Sequence, residues 1–181
     1  QLNGYKQVVI TDGQTFAERG GQTLQFDLYL PADFAAGNKP LVILVHGGSW
    51  RSGDRTHVLE WAYDLAANGY IAATVDYRLT KDGIVFPAPV SDVLAAVRYF
   101  REQAVTYGID PARVCLFGVS AGAHLAMLAG LTTDGSVFDP DRPVGELPGI
   151  TCIVDLFGPT DFTVDPSSVD VDQLRRVERF L

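Results

Sequence analysis

The stretch RVCLFGVSAGAHLAMLAG (residues 113–130) places an apolar run, a serine between glycines and a second apolar run in immediate succession. Val114, Cys115, Leu116 and Phe117 suit a strand covered on both faces, and the run from Ala121 to Leu131 reads as a helix. Between them lies GVSAG (118–122), a G-x-S-x-G pentapeptide. In that pattern the chain turns sharply from strand to helix and the serine projects at the end of a sheet. The turn is strained and leaves no room for side chains beside the serine, a need met by Gly118, Ala121 and Gly122. Ser120 is the candidate nucleophile. The competing reading is a tight structural turn with an incidental serine.

On either side of this core the same alternation recurs. LVILV (41–45) and YIAATV (70–75) are continuous apolar runs, as expected of strands buried in a parallel sheet. Between them Val58, Leu59, Trp61, Ala62, Leu65 and Ala66 recur at helical spacing, with Asn68-Gly69 as the stop. SDVLAAVRYFREQAVTYG (91–108) puts Val93, Ala96, Val97, Phe100 and Ala104 on one helical face and stops at Gly108. ITCIVDLFG (150–158) reads as another buried strand, and TLQFDLYL (23–30) alternates like a strand with one wet face near a sheet edge. Strands alternating with helices through right-handed crossovers predict an α/β fold, a mostly parallel sheet with helices on both faces. In such sheets the chemistry gathers at the carboxyl ends of the strands.

HGGSW (46–50) follows the strand 41–45 at that end. Acyl transfer needs N–H groups aimed at a developing oxyanion, and a glycine-rich loop lets backbone approach substrate closely. Gly48 and Ser49, with Ala121 after the nucleophile, are the expected oxyanion donors; Gly47 gives the turn its freedom. Trp50 is the candidate wall of the acyl or alcohol pocket, against an ordinary core tryptophan. His46 reads as a hydrogen-bonding residue of the loop rather than a base. Asp76 and Arg78 are expected to pair with each other. Cys115 and Cys152, each inside a strand-like run, read as buried free thiols.

With 181 residues, 47% of them hydrophobic and 20% charged, the chain has the composition of a soluble globular domain able to bury a core. A net charge of −8 without a Lys/Arg cluster argues against nucleic acid or an anionic membrane as partner. No apolar run approaches the roughly 20 residues of a membrane span. The start QLNGYK has neither an initiator Met nor a signal peptide and reads as processed or trimmed. A secreted or periplasmic location after processing and a cytoplasmic one both stay open.

HGGSW, DYRL (76–79), FPAPVSDVLAAVRYF (86–100), YGIDPARVCLFGVSAGAHLAMLAG (107–130) and DLFGPTD (155–161) together resemble the α/β-hydrolase serine esterases of the hormone-sensitive-lipase-like and bacterial feruloyl-esterase-like (BD-FAE) branch. The likeness runs from about residue 22 to the end. It implies an α/β-hydrolase fold and a carboxylesterase for short acyl, acetyl or feruloyl esters, with a small-molecule ester as substrate and no cofactor or metal. Related branches cleave an amide, N-formylkynurenine, with the same apparatus. Two departures stand out. Ser49 replaces a third glycine, and the family's acid and histidine lie downstream of DLFGPTD, beyond this chain.

The expectation is therefore one incomplete α/β-hydrolase domain over 1–181, with about 160–181 opening a lid or cap segment. Within it, VDQLRRVERFL (171–181) reads as a short amphipathic helix. His57 and His124 are poor candidates for the missing base, and Asp155 and Asp161 read as structural or lid residues. Losing the histidine alone can lower kcat by about 10⁶, so the lone chain is expected to be nearly inert. Its C-terminal remainder is expected as a separate polypeptide. The alternatives are a formamidase-type amide hydrolase and a non-catalytic α/β-hydrolase-like binding module.

Overall fold

A computed structural model describes residues 7–32, 34, 37–132, 137–139 and 149–163. Six strands form one sheet: β1 (Val8–Arg19), β2 (Gln22–Pro31), β3 (Lys39–Val45), β4 (Ile71–Val75), β5 (Ile109–Val119) and β6 (Cys152–Leu156). Their order is β1-β2-β4-β3-β5-β6. β3 runs parallel to β4 and β5, and β5 parallel to β6. β1 and β2 pair antiparallel, as do β2 and β4.

The core follows from the two-residue period of β3. Leu41, Ile43 and Val45 belong to one buried cluster with Val93, Val97, Phe100, Leu125 and Ala129; these come from α2 (Ala88–Glu102) and α4 (Ala121–Leu131). Val42 and Leu44 point the other way, into a second cluster with Ala62 and Ala66 of α1 (Leu59–Ala67). A strand sandwiched in this manner must be apolar at every position, which is why LVILV carries no polar residue. Helices on both faces of the sheet match the architecture that the sequence predicts.

Several local expectations need correction. β2 lies near the sheet edge as expected, next to the outer strand β1, but its supposed wet face holds Asp27, 5% exposed and paired with Arg55 at 2.8 Å. The helix expected over 91–108 is two helices. α2 starts earlier, at Ala88, and ends at Glu102; the single turn α3 (Ala104–Tyr107) follows, stopped by Gly108 at φ 63°. β6 is the edge strand opposite β1 among the described residues, and Cys152 and Asp155 on it are exposed, so it is not buried like β3.

The cysteines are also corrected. Cys115 and Cys152 face each other across the β5–β6 register, with Cα atoms 4.3 Å apart, and form a disulfide. Neither is fully buried. Asp76 and Arg78 do not pair with each other. Asp76 accepts from the backbone N–H and guanidinium of Arg55, both at 2.9 Å, and Arg78 donates to Asp92 through its N–H, Nε and Nη2 at 2.7 to 3.0 Å. Both residues lie just beyond β4, and each charge finds its partner on another element.

No helix among the described residues is long and apolar enough to cross a membrane. The amphipathic helix expected at 171–181, most of the loop 133–149 and the lid segment beyond 163 lie outside the described residues.

Candidate active site

Ser120 sits between β5 and α4 with φ 53° and ψ −118°. A non-glycine residue held there is strained by about 1–3 kcal/mol and persists only where its surroundings fix it. Three contacts do so. The Ser120 N–H donates to the Leu156 carbonyl at 2.7 Å, and its own carbonyl accepts from Ala123 and His124 at 3.0 and 3.1 Å, starting α4. The flanking glycines are required by space: a Cβ on Gly118 would strike Ala123 and Gly122, and one on Gly122 would strike the carbonyls of Val45 and His46. The first turn of α4 therefore lies directly against the end of β3.

The loop leaving β3 lies against the nucleophile. A Cβ placed on Gly47 would lie 3.0 Å from the Val119 oxygen and 3.3 Å from Ser120 Cβ. Gly48, Ser49 and Trp50 then follow one another at φ 126°, 53° and 59°. Left-handed backbone costs an ordinary residue about 1–2 kcal/mol, so Ser49 and Trp50 both carry strain. The loop is held through its carbonyls. Gly48 O accepts from the N–H groups of Arg51 and Ser52 and from Ser52 Oγ, all at 3.1 Å, and Trp50 O accepts from Thr80 N–H at 2.8 Å. Among the described residues, no hydrogen bond engages the N–H of Gly48, Ser49 or Ala121.

His46 is 1% exposed, with its ring stacked on Tyr77 at 4.3 Å and its Nδ1 2.7 Å from the Gly47 carbonyl. A carbonyl can only accept, so Nδ1 carries the proton, and burial holds the imidazole neutral by lowering its pKa. Trp50 is 3% exposed and meets His124 edge-on at 5.4 Å. His124 in turn touches Phe162 at 5.2 Å, and burial lowers its pKa to about 4. These rings back an apolar pocket of about 510 Å³ beside α4, lined by Phe86, His124, Met127, Leu128, Pro159 and Phe162 among others. Trp50 stands behind that wall rather than on it.

The other acid–base candidates are engaged elsewhere. His57 is exposed and lies 6.2 Å from the His46 ring. Asp155 Oδ1 accepts from Gly158 N–H at 2.7 Å. Asp161 Oδ1 accepts from the hydroxyl and N–H of Thr163, bonds that hold its pKa below the usual carboxylate value. Among the described residues, the hydrogen bonds of Ser120 are all backbone ones, and no cluster of His, Cys, Asp and Glu is placed to hold a metal ion. The residues that sequence reasoning missed are Tyr77, Thr80 and Leu156. They act through a hydroxyl and backbone groups, and DYRL draws the eye to its charges instead.

The sequence profile of the BD-FAE family matches residues 26–180. The chain belongs to the BD-FAE family. This member is 31% identical over 157 residues to the esterase LipC of Mycobacterium tuberculosis, a match covering 83% of this chain and 38% of LipC. Its fold is that of esterase 2 from Thermogutta terrifontis. The form phosphonylated by sarin superposes with a TM-score of 0.79 at 21% identity, over 99% of this chain and 64% of that one. The propionate-bound form gives 0.75 at 21% identity, over 97% and 62%. The BD-FAE chain thus has the α/β-hydrolase fold and spans less than two thirds of each of these relatives.

Proposed function

We propose that this chain supplies the nucleophile and oxyanion donors of a serine carboxylesterase acting on short-chain acyl, acetyl or feruloyl-type esters. Ser120 Oγ attacks the ester carbonyl carbon, and its proton passes to a histidine that, with the triad acid, comes from sequence beyond residue 181. The carbonyl oxygen takes the negative charge and is received by the N–H groups of Gly48, Ser49 and Ala121. Collapse breaks the bond to the alcohol, which leaves with the proton, and water then releases the acid from Ser120. Each such donor is worth about 10²–10³ in kcat.

The observation that carries this reading is the strained Ser120 at the β5–α4 junction, pressed against a loop whose donors are left open. The neighbouring apolar pocket offers room for the hydrocarbon part of a small ester, and esterase 2 of Thermogutta terrifontis has been solved with propionate bound. The C-terminal remainder and the segment that begins near residue 160 as a lid or cap belong to the same proposal.

The test is Ser120→Ala in the full-length protein, assayed on p-nitrophenyl acetate and butyrate. Loss of turnover with an unchanged melting temperature is expected; turnover retained within tenfold overturns the reading. A matched N-formyl anilide distinguishes ester from amide hydrolysis.

A further inference from the structure

Four peptides of the loop after β3, those of His46, Gly47, Gly48 and Trp50, are held by their oxygens. In a trans peptide the C=O and N–H point in opposite directions, so fixing the oxygen of residue i aims the N–H of residue i+1. Gly48 O, bonded to Arg51 and Ser52, fixes the N–H of Ser49. Gly47 O, bonded to His46 Nδ1 at 2.7 Å, fixes the N–H of Gly48. The His46 ring must therefore be held, and Tyr77 holds both the backbone and the ring of that residue. Its hydroxyl donates to the His46 carbonyl at 3.0 Å, and its ring stacks on the imidazole at 4.3 Å and 15°. Three residues on, Thr80 N–H secures Trp50 O at the far end of the loop.

We infer that Tyr77 is a positioning residue for the oxyanion donors, acting through His46 and the Gly47 carbonyl on the Gly48 N–H, with Thr80 bracing the other end. The segment 76–80 is then a splint for the loop 46–50. The inference rests on the esterase reading. Tyr77 is 3% exposed and touches no reacting atom; its influence is the alignment of a donor whose worth appears only as charge develops on the substrate oxygen.

The experiment uses the full-length enzyme with active sites counted by a fluorophosphonate probe, so that misfolded molecules drop out of the rate. Tyr77→Phe keeps the stacked ring and removes the hydroxyl. The expected result is a fall in kcat per titrated site of about tenfold, a fraction of what deleting a donor costs. KM should stay within twofold, and the Ki for a boronic acid, which forms a tetrahedral serine adduct, should rise by the factor that kcat falls. A merely structural role would lower the titratable fraction and leave kcat per site and boronate affinity unchanged, and that result overturns the inference.

Should Tyr77→Phe fail to fold, Thr80→Pro removes the donor to Trp50 O together with a threonine hydroxyl that makes no hydrogen bond among the described residues. Thr80 opens a short helical turn after an extended Leu79, where proline is tolerated. It should show the same split between kcat and KM, and unchanged kcat per site overturns the inference. Ser120→Ala measured alongside separates the two failures: if it stays active the esterase reading falls, and if it is inert while Tyr77→Phe matches wild type only the positioning role falls.

Discussion

The backbone N–H of Ser120 donates to the carbonyl of Leu156 at 2.7 Å, tying the turn that holds the serine to the end of β6. This bond restrains a backbone conformation that would otherwise relax. The amide of Ser120 is expected to exchange with deuterium at least a hundredfold more slowly than an unprotected amide. Exchange of the 118–122 segment at the free-peptide rate would show that β6 does not restrain the turn.

Ser49 has left-handed backbone, where glycine has no Cβ penalty. Ser49→Gly is expected to stabilise by up to about 1 kcal/mol, raising the melting temperature by roughly 2–4 °C. Because the donor is the backbone N–H, activity should stay within about twofold. A lower melting temperature would mean that the added freedom of glycine in the unfolded chain outweighs the relieved strain.

Cys115 and Cys152 are bonded across adjacent parallel strands. Peptide mass mapping after denaturation without reductant should find both unmodified by iodoacetamide, and after reduction both modified. Labelling of both without reductant would leave β5 and β6 joined by backbone hydrogen bonds alone.

His124 has a folded pKa of about 4, lowered by burial from an ordinary 6.5. Between those values the unfolded chain binds a proton that the folded one does not, so stability is lost as pH falls from about 6.5 towards 4. At full burial the effect is on the order of 3 kcal/mol. His46, also lowered by burial, adds a contribution of the same sign. Urea midpoints at pH 7 and 4.5 should converge in His124→Leu relative to wild type; an unaltered difference would place the loss elsewhere.

What could be read from the sequence were the features whose cause is local. Strands β3 and β4 and the 114–117 part of β5 show as apolar runs because they are covered on their faces, and α4 follows the small residues at 118, 121 and 122 because nothing larger fits. The buried face of α2 was legible for the same reason, since its helical period repeats within one element. β1 was not: its apolar residues Val8, Val9, Ile10 and Phe16 do not alternate, most of the strand is exposed, and its pairing is broken by register shifts at Thr11/Gln14 and Thr15/Ala17. The pairings of Asp76 with Arg55, Arg78 with Asp92 and Cys115 with Cys152 depend on which elements become neighbours. Tyr77 was hidden by the same rule, because its partner lies 31 residues away.

The bare Cα of Gly122 lets the carbonyls of Val45 and His46 rest on the first turn of α4. The strand that launches the donor loop and the helix that begins at the serine are consequently one mechanical piece. Thermal motion that bends or tilts this piece carries attacker and acceptor cradle together, so their spacing is insulated from breathing elsewhere. Substrate entry and product departure must then be served by the parts that surround this rigid hinge-free centre, and rate changes gained by loosening those parts need not cost alignment.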